Sequence, residues 1–180
     1  ANGINPADWK KASLRMPEAA LKVRYAGSLA QNMTLDSVRL VAQAVEKLAS
    51  EGIDISFEIK TRERFRDTVQ RHFRKFLSTS FIVTDLSAVD YRAWLADADI
   101  VVIAYNFDEA SASYMRYSLA NKLPECLASG AALLAVGPEN IATMSTLQKH
   151  DCGLHVTMND QHKVAEALRY LAGSPEERYR

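Results

Sequence analysis

The chain of 180 residues carries 22 basic and 22 acidic side chains, a formal net charge of zero, and 48% apolar residues. This length and apolar content support one full domain with a sizeable core and exclude wholesale disorder, and the charge balance provides no global field for nucleic acid or a membrane. No apolar run approaches transmembrane length, no secretory signal is visible, and the only cysteines, Cys126 and Cys152, lack metal-type spacing, as expected in a reducing cytoplasmic compartment.

Residues 22–26 (KVRYA) read as a strand ending at Gly27, followed by a polar turn and a helix from about Thr34. In that helix Leu35, Val38, Val41, Ala42, Val45 and Leu48 share one face, and Gly52 stops it. ISFEI (55–59) alternates as a strand does, and in 64–76 Phe65, Val69, Phe73 and Phe76 share a helical face with arginines around the rest. A strand at 80–84, a short helix at 89–98 and the continuous apolar strand 100–105 follow. Residues 107–118 read as a loop, succeeded by a helix starting near Lys122 and the strand ALLAV (132–136). After Gly137-Pro138 come a helix at 139–149, a short strand at 154–156, a helix at 161–172 and a polar, fraying tail.

Such alternation predicts an α/β fold: a doubly wound parallel sheet with helices on both faces. Ligands in such sheets bind at the carboxyl ends of the strands near a switch in strand order. That rule nominates Gly27–Asn32 after the first strand, with Gly27 and Ser28 foremost, Lys60–Arg62 after the second, and Asp85, Leu86 and Ser87 after the third. It also nominates Tyr105 and Asn106 at the end of the central strand with the stretch from there to Lys122, and Gly137–Asn140 after the fifth strand.

The most informative stretch is YSLANKLPECLASG (117–130). Asn121 has the chemistry of an N-cap, and Pro124 is tolerated only in a first helical turn. The backbone N–H groups of Asn121–Leu123 and the Lys122 ammonium would favour a diphosphate, and Glu125 would accept hydrogen bonds from ribose hydroxyls. Taken alone, a capped helix whose glutamate complements the dipole explains the stretch equally well.

With the strand that follows, NKLPECLASGAALLAVGP resembles the donor-binding signature of the large retaining family of GT-B glycosyltransferases that carries two glutamates. Glu125, Ala128 and Gly130 match its second glutamate and the residues after it. NGIN (2–5) is similar to the family's inter-domain linker, RYAGSL (24–29) to its first strand and glycine turn, and YRAWLADADIVVIAY (91–105) to its central segment. HDCGLHV with DQHKVAEALRYLAGSPEER resembles its closing strand and helix, so coverage is nearly complete and in order.

The resemblance implies a Rossmann-like sheet, the C-terminal half of a GT-B fold. Residues 1–12 would be a linker from a missing N-terminal domain, 13–173 the nucleotide-sugar-binding domain and 174–180 a flexible tail. It implies a UDP- or GDP-linked sugar donor, no cofactor and no essential metal. The acceptor, a glycan or a lipid-linked molecule, would lie against the missing domain. Lys122 would be the catalytic cation, with Gly27, Ser28, Lys60, Asp85, Leu86, Tyr105, Asn106, Tyr117, Ser118, Asn121, Leu123 and Glu125 around the donor.

The chain departs from the family pattern in three places. Ser28 and Gln31-Asn32 stand where the diphosphate-clamping Arg and Lys fall, and Tyr117 stands at the first glutamate. Glu109 lies nearby at a different spacing, and Lys122, Arg116 or Lys60 can supply positive charge. The alternatives are a non-catalytic scaffold on the same fold and a sugar-nucleotide epimerase, for which no crevice carboxylate and histidine set is found.

The basic stretch from Lys60 to Lys75, diluted by Glu58, Glu63 and Asp67, reads first as the solvated face of a helix and second as a peripheral membrane contact. Trp9 is expected at the missing domain, Trp94 in the core, and the four histidines are unassigned. Without an initiator Met, the chain is expected to be a segment of a longer protein.

Overall fold

A computed structural model describes residues 4–9 and 20–178. The elements are β1 (Leu21–Ala26), α1 (Leu35–Ser50), β2 (Ile55–Lys60), α2 (Arg66–Phe73), β3 (Thr79–Ile82), α3 (Ala88–Ala96), β4 (Ile100–Ala104), α4 (Glu109–Met115), α5 (Leu123–Ala128), β5 (Ala132–Val136), α6 (Ala142–Lys149), β6 (Leu154–Val156), α7 (Gln161–Gly173) and α8 (Pro175–Arg178). Single 3₁₀ turns at Pro6–Asp8 and Glu63–Phe65 precede β1 and α2.

The six strands form one parallel sheet in the order β3-β2-β1-β4-β5-β6. Sequence direction reverses across the β1–β4 neighbours, which makes them the switch point. The strand period of two divides the core. Ile100, Val102 and Ala104 of β4 face α1, α2 and α7, among Val41, Val45, Leu48, Phe73, Val164 and Leu168. Val101 and Ile103 face α3, α5 and α6, among Leu95, Cys126, Met144 and Leu147. Both faces of β4 and β5 are buried, which is why these strands read as continuous apolar runs.

On β1, Arg24 is buried and ringed by acceptors. Its guanidinium lies 2.9 Å from Asp97 and 3.5 Å from Glu58, donates to the Trp94 carbonyl, and stacks 5.1 Å from the Trp94 ring centre. The Trp94 indole N–H donates to Glu58, so Trp94 is the partly buried lid of this charge cluster rather than a core residue.

Four expectations are corrected. Residues 109–115 form α4 rather than a loop, because the Asp108 carboxylate accepts from the Ser111 N–H and caps the helix. The tail does not fray through 178: Arg178 is 2% exposed and its guanidinium donates to the Leu171 and Ala172 carbonyls. Trp9 packs against this domain's own α3–α6 core cluster. Strand β3 ends at Ile82 rather than 84. Parts of the expected linker, residues 1–3 and 10–12, and residues 179–180 of the tail lie outside the described residues.

Candidate functional site

The carboxyl ends of the strands open into a crevice of about 760 Å³ at the switch point. Its near wall is the turn after β1. The Gly27 N–H donates to the Lys60 carbonyl at 3.0 Å, and a Cβ at Gly27 would lie 2.5 Å from the Tyr25 hydroxyl. That hydroxyl donates to the Ser28 carbonyl, as does Thr34 Oγ1, both at 2.7 Å. Burial raises the Tyr25 pKa well above the ordinary tyrosine range, so it stays a neutral donor. The turn is thereby held rigid, with Tyr25 packed where a side chain at Gly27 would stand.

Lys60, Thr61, Arg62 and Arg64, from the end of β2 and the 3₁₀ turn, form the side wall. Thr61 is 2% exposed, and its Oγ1 has no hydrogen-bond partner. The far wall holds Asp85, Leu86 and Tyr91, from the β3–α3 connection and α3, and the loop Ser118–Lys122. Among the described residues lining the crevice, four basic side chains (Lys60, Arg62, Arg64, Lys122) face a single carboxylate, Asp85. The crevice is electropositive in a chain of zero net charge, and it is suited to an anion.

Lys122 is held from two sides. Its ammonium lies 4.6 Å from the Tyr91 ring centre and 3.1 Å from the Glu125 carboxylate. Glu125 stands behind it on α5, its side chain 23% exposed. Burial, with the Glu125 charge second, pushes the Tyr91 pKa far up, and Tyr91 Oη is buried without a hydrogen bond. Thr143 of α6, fully buried, accepts from the Ala120 N–H at 2.9 Å and donates to the Ser118 carbonyl at 3.1 Å. That clamp fixes the loop carrying Lys122.

The start of α5 differs from expectation. Asn121 is exposed and provides no cap; the helix begins at Leu123, with Lys122 as the uncapped flanking residue and Pro124 in the first turn. The Leu123 N–H is taken by the Ala120 carbonyl at 3.0 Å. With six helical residues and that donor spent, the helix terminus adds little to anion binding, and the side chains carry it.

Of the residues nominated from sequence, the crevice brings together Gly27, Ser28, Lys60, Asp85, Leu86, Tyr105, Ser118, Asn121 and Lys122. Glu125 stands just behind Lys122, Leu123 is buried in the core, and Tyr117 is 89% exposed outside the crevice. Asn106 is turned away. Its Oδ1 accepts from the Asp36 and Ser37 N–H groups at 3.0 and 3.2 Å, and its Nδ2 donates to the Gln31 carbonyl at 2.7 Å. It caps α1 from the loop after β4. Asn106→Ala is therefore expected to lower stability by about 1–2 kcal/mol, measured by denaturant unfolding, as loss of a cap does. Tyr114, within the nominated stretch, lines the crevice as well, and Arg64, Phe65 and Tyr91 line it without having been nominated. Arg64 and Phe65 follow a strand end closely enough for the strand-end rule to have reached them.

Cys126, beneath the loop, is buried, and burial with the nearby Glu125 charge pushes its thiol up to about 12. At pH 8 an alkylating reagent should modify the partly exposed Cys152 and leave Cys126 intact until the chain unfolds, as peptide mass spectrometry will show.

A doubly wound parallel sheet with a basic crevice at its switch point defines a Rossmann-like α/β domain. No protein-family model and no curated protein sequence matches the chain. Solved structures do. The chain superposes on an E. coli trehalose-6-phosphate synthase bound with UDP-2-fluoro glucose with a TM-score of 0.70, at 15% identity, over 98% of this chain and 44% of that one. It superposes on an α,α-trehalose 6-phosphate synthase from Burkholderia multivorans (TM-score 0.66, 15% identity, 89% and 36% covered). WaaG, a glycosyltransferase involved in lipopolysaccharide biosynthesis, is similar as well (TM-score 0.63, 16% identity, 97% and 47% covered). These likenesses establish the fold: this chain has the Rossmann-like architecture found in GT-B glycosyltransferases. It spans less than half the length of each of these structures.

Proposed function

We propose that the chain is the donor-binding domain of a glycosyltransferase and holds a nucleoside diphosphate sugar, UDP- or GDP-linked, in the crevice at the β1–β4 switch point. The observation that carries this reading is the charge of that crevice, four basic side chains against one carboxylate at the strand ends. The fold it shares with a structure bound with UDP-2-fluoro glucose supports the same ligand class.

In this reading Lys122, Lys60 and Arg62 face the diphosphate, and Gly27 and Ser28 form the opposite wall. The ribose hydroxyls donate to Glu125, which exchanges part of its contact with Lys122 for them. Asp85 and Leu86 border the base, and Ser118 and Asn121 the sugar. As the bond from sugar to diphosphate breaks, negative charge grows on the leaving phosphate oxygens, where Lys122 stabilises it. The transfer retains anomeric configuration and needs no metal ion.

The acceptor, a glycan or a lipid-linked molecule in polysaccharide assembly, is held by a further domain, and the protein works in the cytoplasm, peripheral to a membrane. The chain spans less than half of each matched structure, so by itself it should bind nucleotide without transferring sugar.

Calorimetric titration with UDP, GDP, ADP and CDP tests the reading. Selective binding of one of the four is expected, and that one names the base. A folded chain that binds none of them would favour a scaffold on the same architecture.

A further inference from the structure

Helices α1 and α7 pair most of their exposed cations. On α1 and α7, Lys47 pairs with Glu51 at 2.5 Å, Lys163 with Glu166 at 2.8 Å, and Arg169 reaches Glu51. Helix α2 does not. The stretch 64–77 holds five basic residues and one acidic, and of the five only Arg66 is paired, with Glu63 at 2.5 Å. Among the described residues, no carboxylate lies within ion-pair distance of Arg71, Arg74 or Lys75, all of which are exposed. Glu46, the acidic neighbour on α1, accepts from the Ser78 N–H at 2.9 Å.

The helix is anchored from beneath. Phe73 and Phe76 are buried, with their rings 6.2 Å apart, and Phe73 meets Phe81 of β3 at 5.5 Å. With Phe65 and Val69 packed on the same core, the helical period turns Arg66 and Arg71 outward, and Arg74 and Lys75 stand exposed in the turn that follows the helix. At the end of this face stands Leu77, 90% exposed, directly after two cations and a buried phenylalanine.

We propose that the basic face formed by α2 and the turn after it, with Leu77 at its tip, is a contact surface for an anionic lipid bilayer. The unpaired cations of α2 and of the turn after it, Arg71, Arg74 and Lys75, meet the negative headgroups, and Leu77 enters the acyl boundary. The leucine favours a bilayer over a nucleic acid, because a polyanion backbone uses the cations and has no place for an exposed aliphatic tip. Arg64 belongs both to this strip and to the crevice wall, so the strip runs to the crevice mouth. The proposal gives residues to the peripheral placement proposed above, and its test uses no nucleotide, so either can fail without the other.

Vesicle co-sedimentation of the chain decides it, with phosphatidylcholine vesicles and with vesicles that also hold phosphatidylglycerol. The expected result is binding to the anionic vesicles only, weakening as salt is raised. Each basic side chain at an anionic surface contributes about a fivefold gain, so Arg71→Gln/Arg74→Gln/Lys75→Gln should lose roughly a hundredfold in partitioning. Leu77→Ser should weaken binding while leaving its salt dependence intact. All substituted side chains are exposed, and circular dichroism checks that the variants fold. Absence of binding to either vesicle, equal binding to both, or full binding by the triple variant overturns the proposal. So does tight binding of an RNA oligonucleotide by a chain that ignores anionic vesicles.

Discussion

Glu125→Gln should weaken nucleoside diphosphate binding by roughly thirtyfold, about 2 kcal/mol, while leaving the fold unchanged. Hydrogen bonds to a charged group contribute about 1.5–3 kcal/mol each, and a neutral amide keeps the shape without the charge. The competing explanation is that Glu125 serves only to hold Lys122, whose ammonium lies 3.1 Å from it. The two explanations separate on the ligand. If the carboxylate accepts from ribose, the wild-type chain prefers UDP or GDP over its 2′-deoxy form, and Glu125→Gln removes that preference. If it only positions Lys122, the preference survives and overall affinity falls. Lys122→Ala gives the complementary signature, reducing the advantage of the diphosphate over the free nucleoside. Calorimetry on the two variants with paired ligands yields both comparisons.

Gly153→Ala should cost about 3 kcal/mol or more. Gly153 has φ +78° in the turn between α6 and β6, a region where a side chain costs about 1–2 kcal/mol. A Cβ there would also meet the Leu133 carbonyl oxygen and lie 2.7 Å from Leu133 Cβ, on a strand that is buried on both faces. Overpacking against such a strand adds about 1–3 kcal/mol. For a chain of this size the melting temperature should fall by about 6–12 °C. Gly52→Ala is the control: its φ is +89°, nothing lies within 4 Å of the added atom, and only the backbone cost of about 1 kcal/mol remains. Equal losses at the two glycines would mean that the β5–β6 edge yields to the methyl.

The residues that made the fold legible are those whose pattern is local. Val38, Val41, Val45 and Leu48 repeat at helical spacing and are all buried on α1. The unbroken apolar runs of β4 and β5 marked the centre of the sheet. Helix α4 was not legible, because Ala110, Ser111, Ala112 and Ser113 carry no strong apolar stripe and its signal is the single Asp108 cap.

In the site, the strand-end rule reached Gly27, Lys60, Asp85 and Lys122 because each directly follows a strand or lies in a motif with its own chemistry. Asn106 obeyed the same rule and yet faces Asp36 and Ser37, about 70 positions earlier, since the rule gives the end of a strand and not the direction of a side chain. Tyr91 under Lys122 and Thr143 behind the 118–120 loop depend on how α3 and α6 pack on one face of the sheet. No local pattern encodes that. Asn121 has the right chemistry for a cap, but the turn from Ala120 to Leu123 fills the position first.

The most direct measurement is an amide-resolved NMR titration of the chain with UDP and GDP. Binding in the crevice predicts that the amides of Gly27, Ser28, Thr61 and Lys122 move together along one saturable curve. Saturable binding that shifts instead the amides around the smaller cavity beside α1, lined by Asp36, Arg39 and Asn159, or that leaves the crevice amides unmoved, would contradict the account.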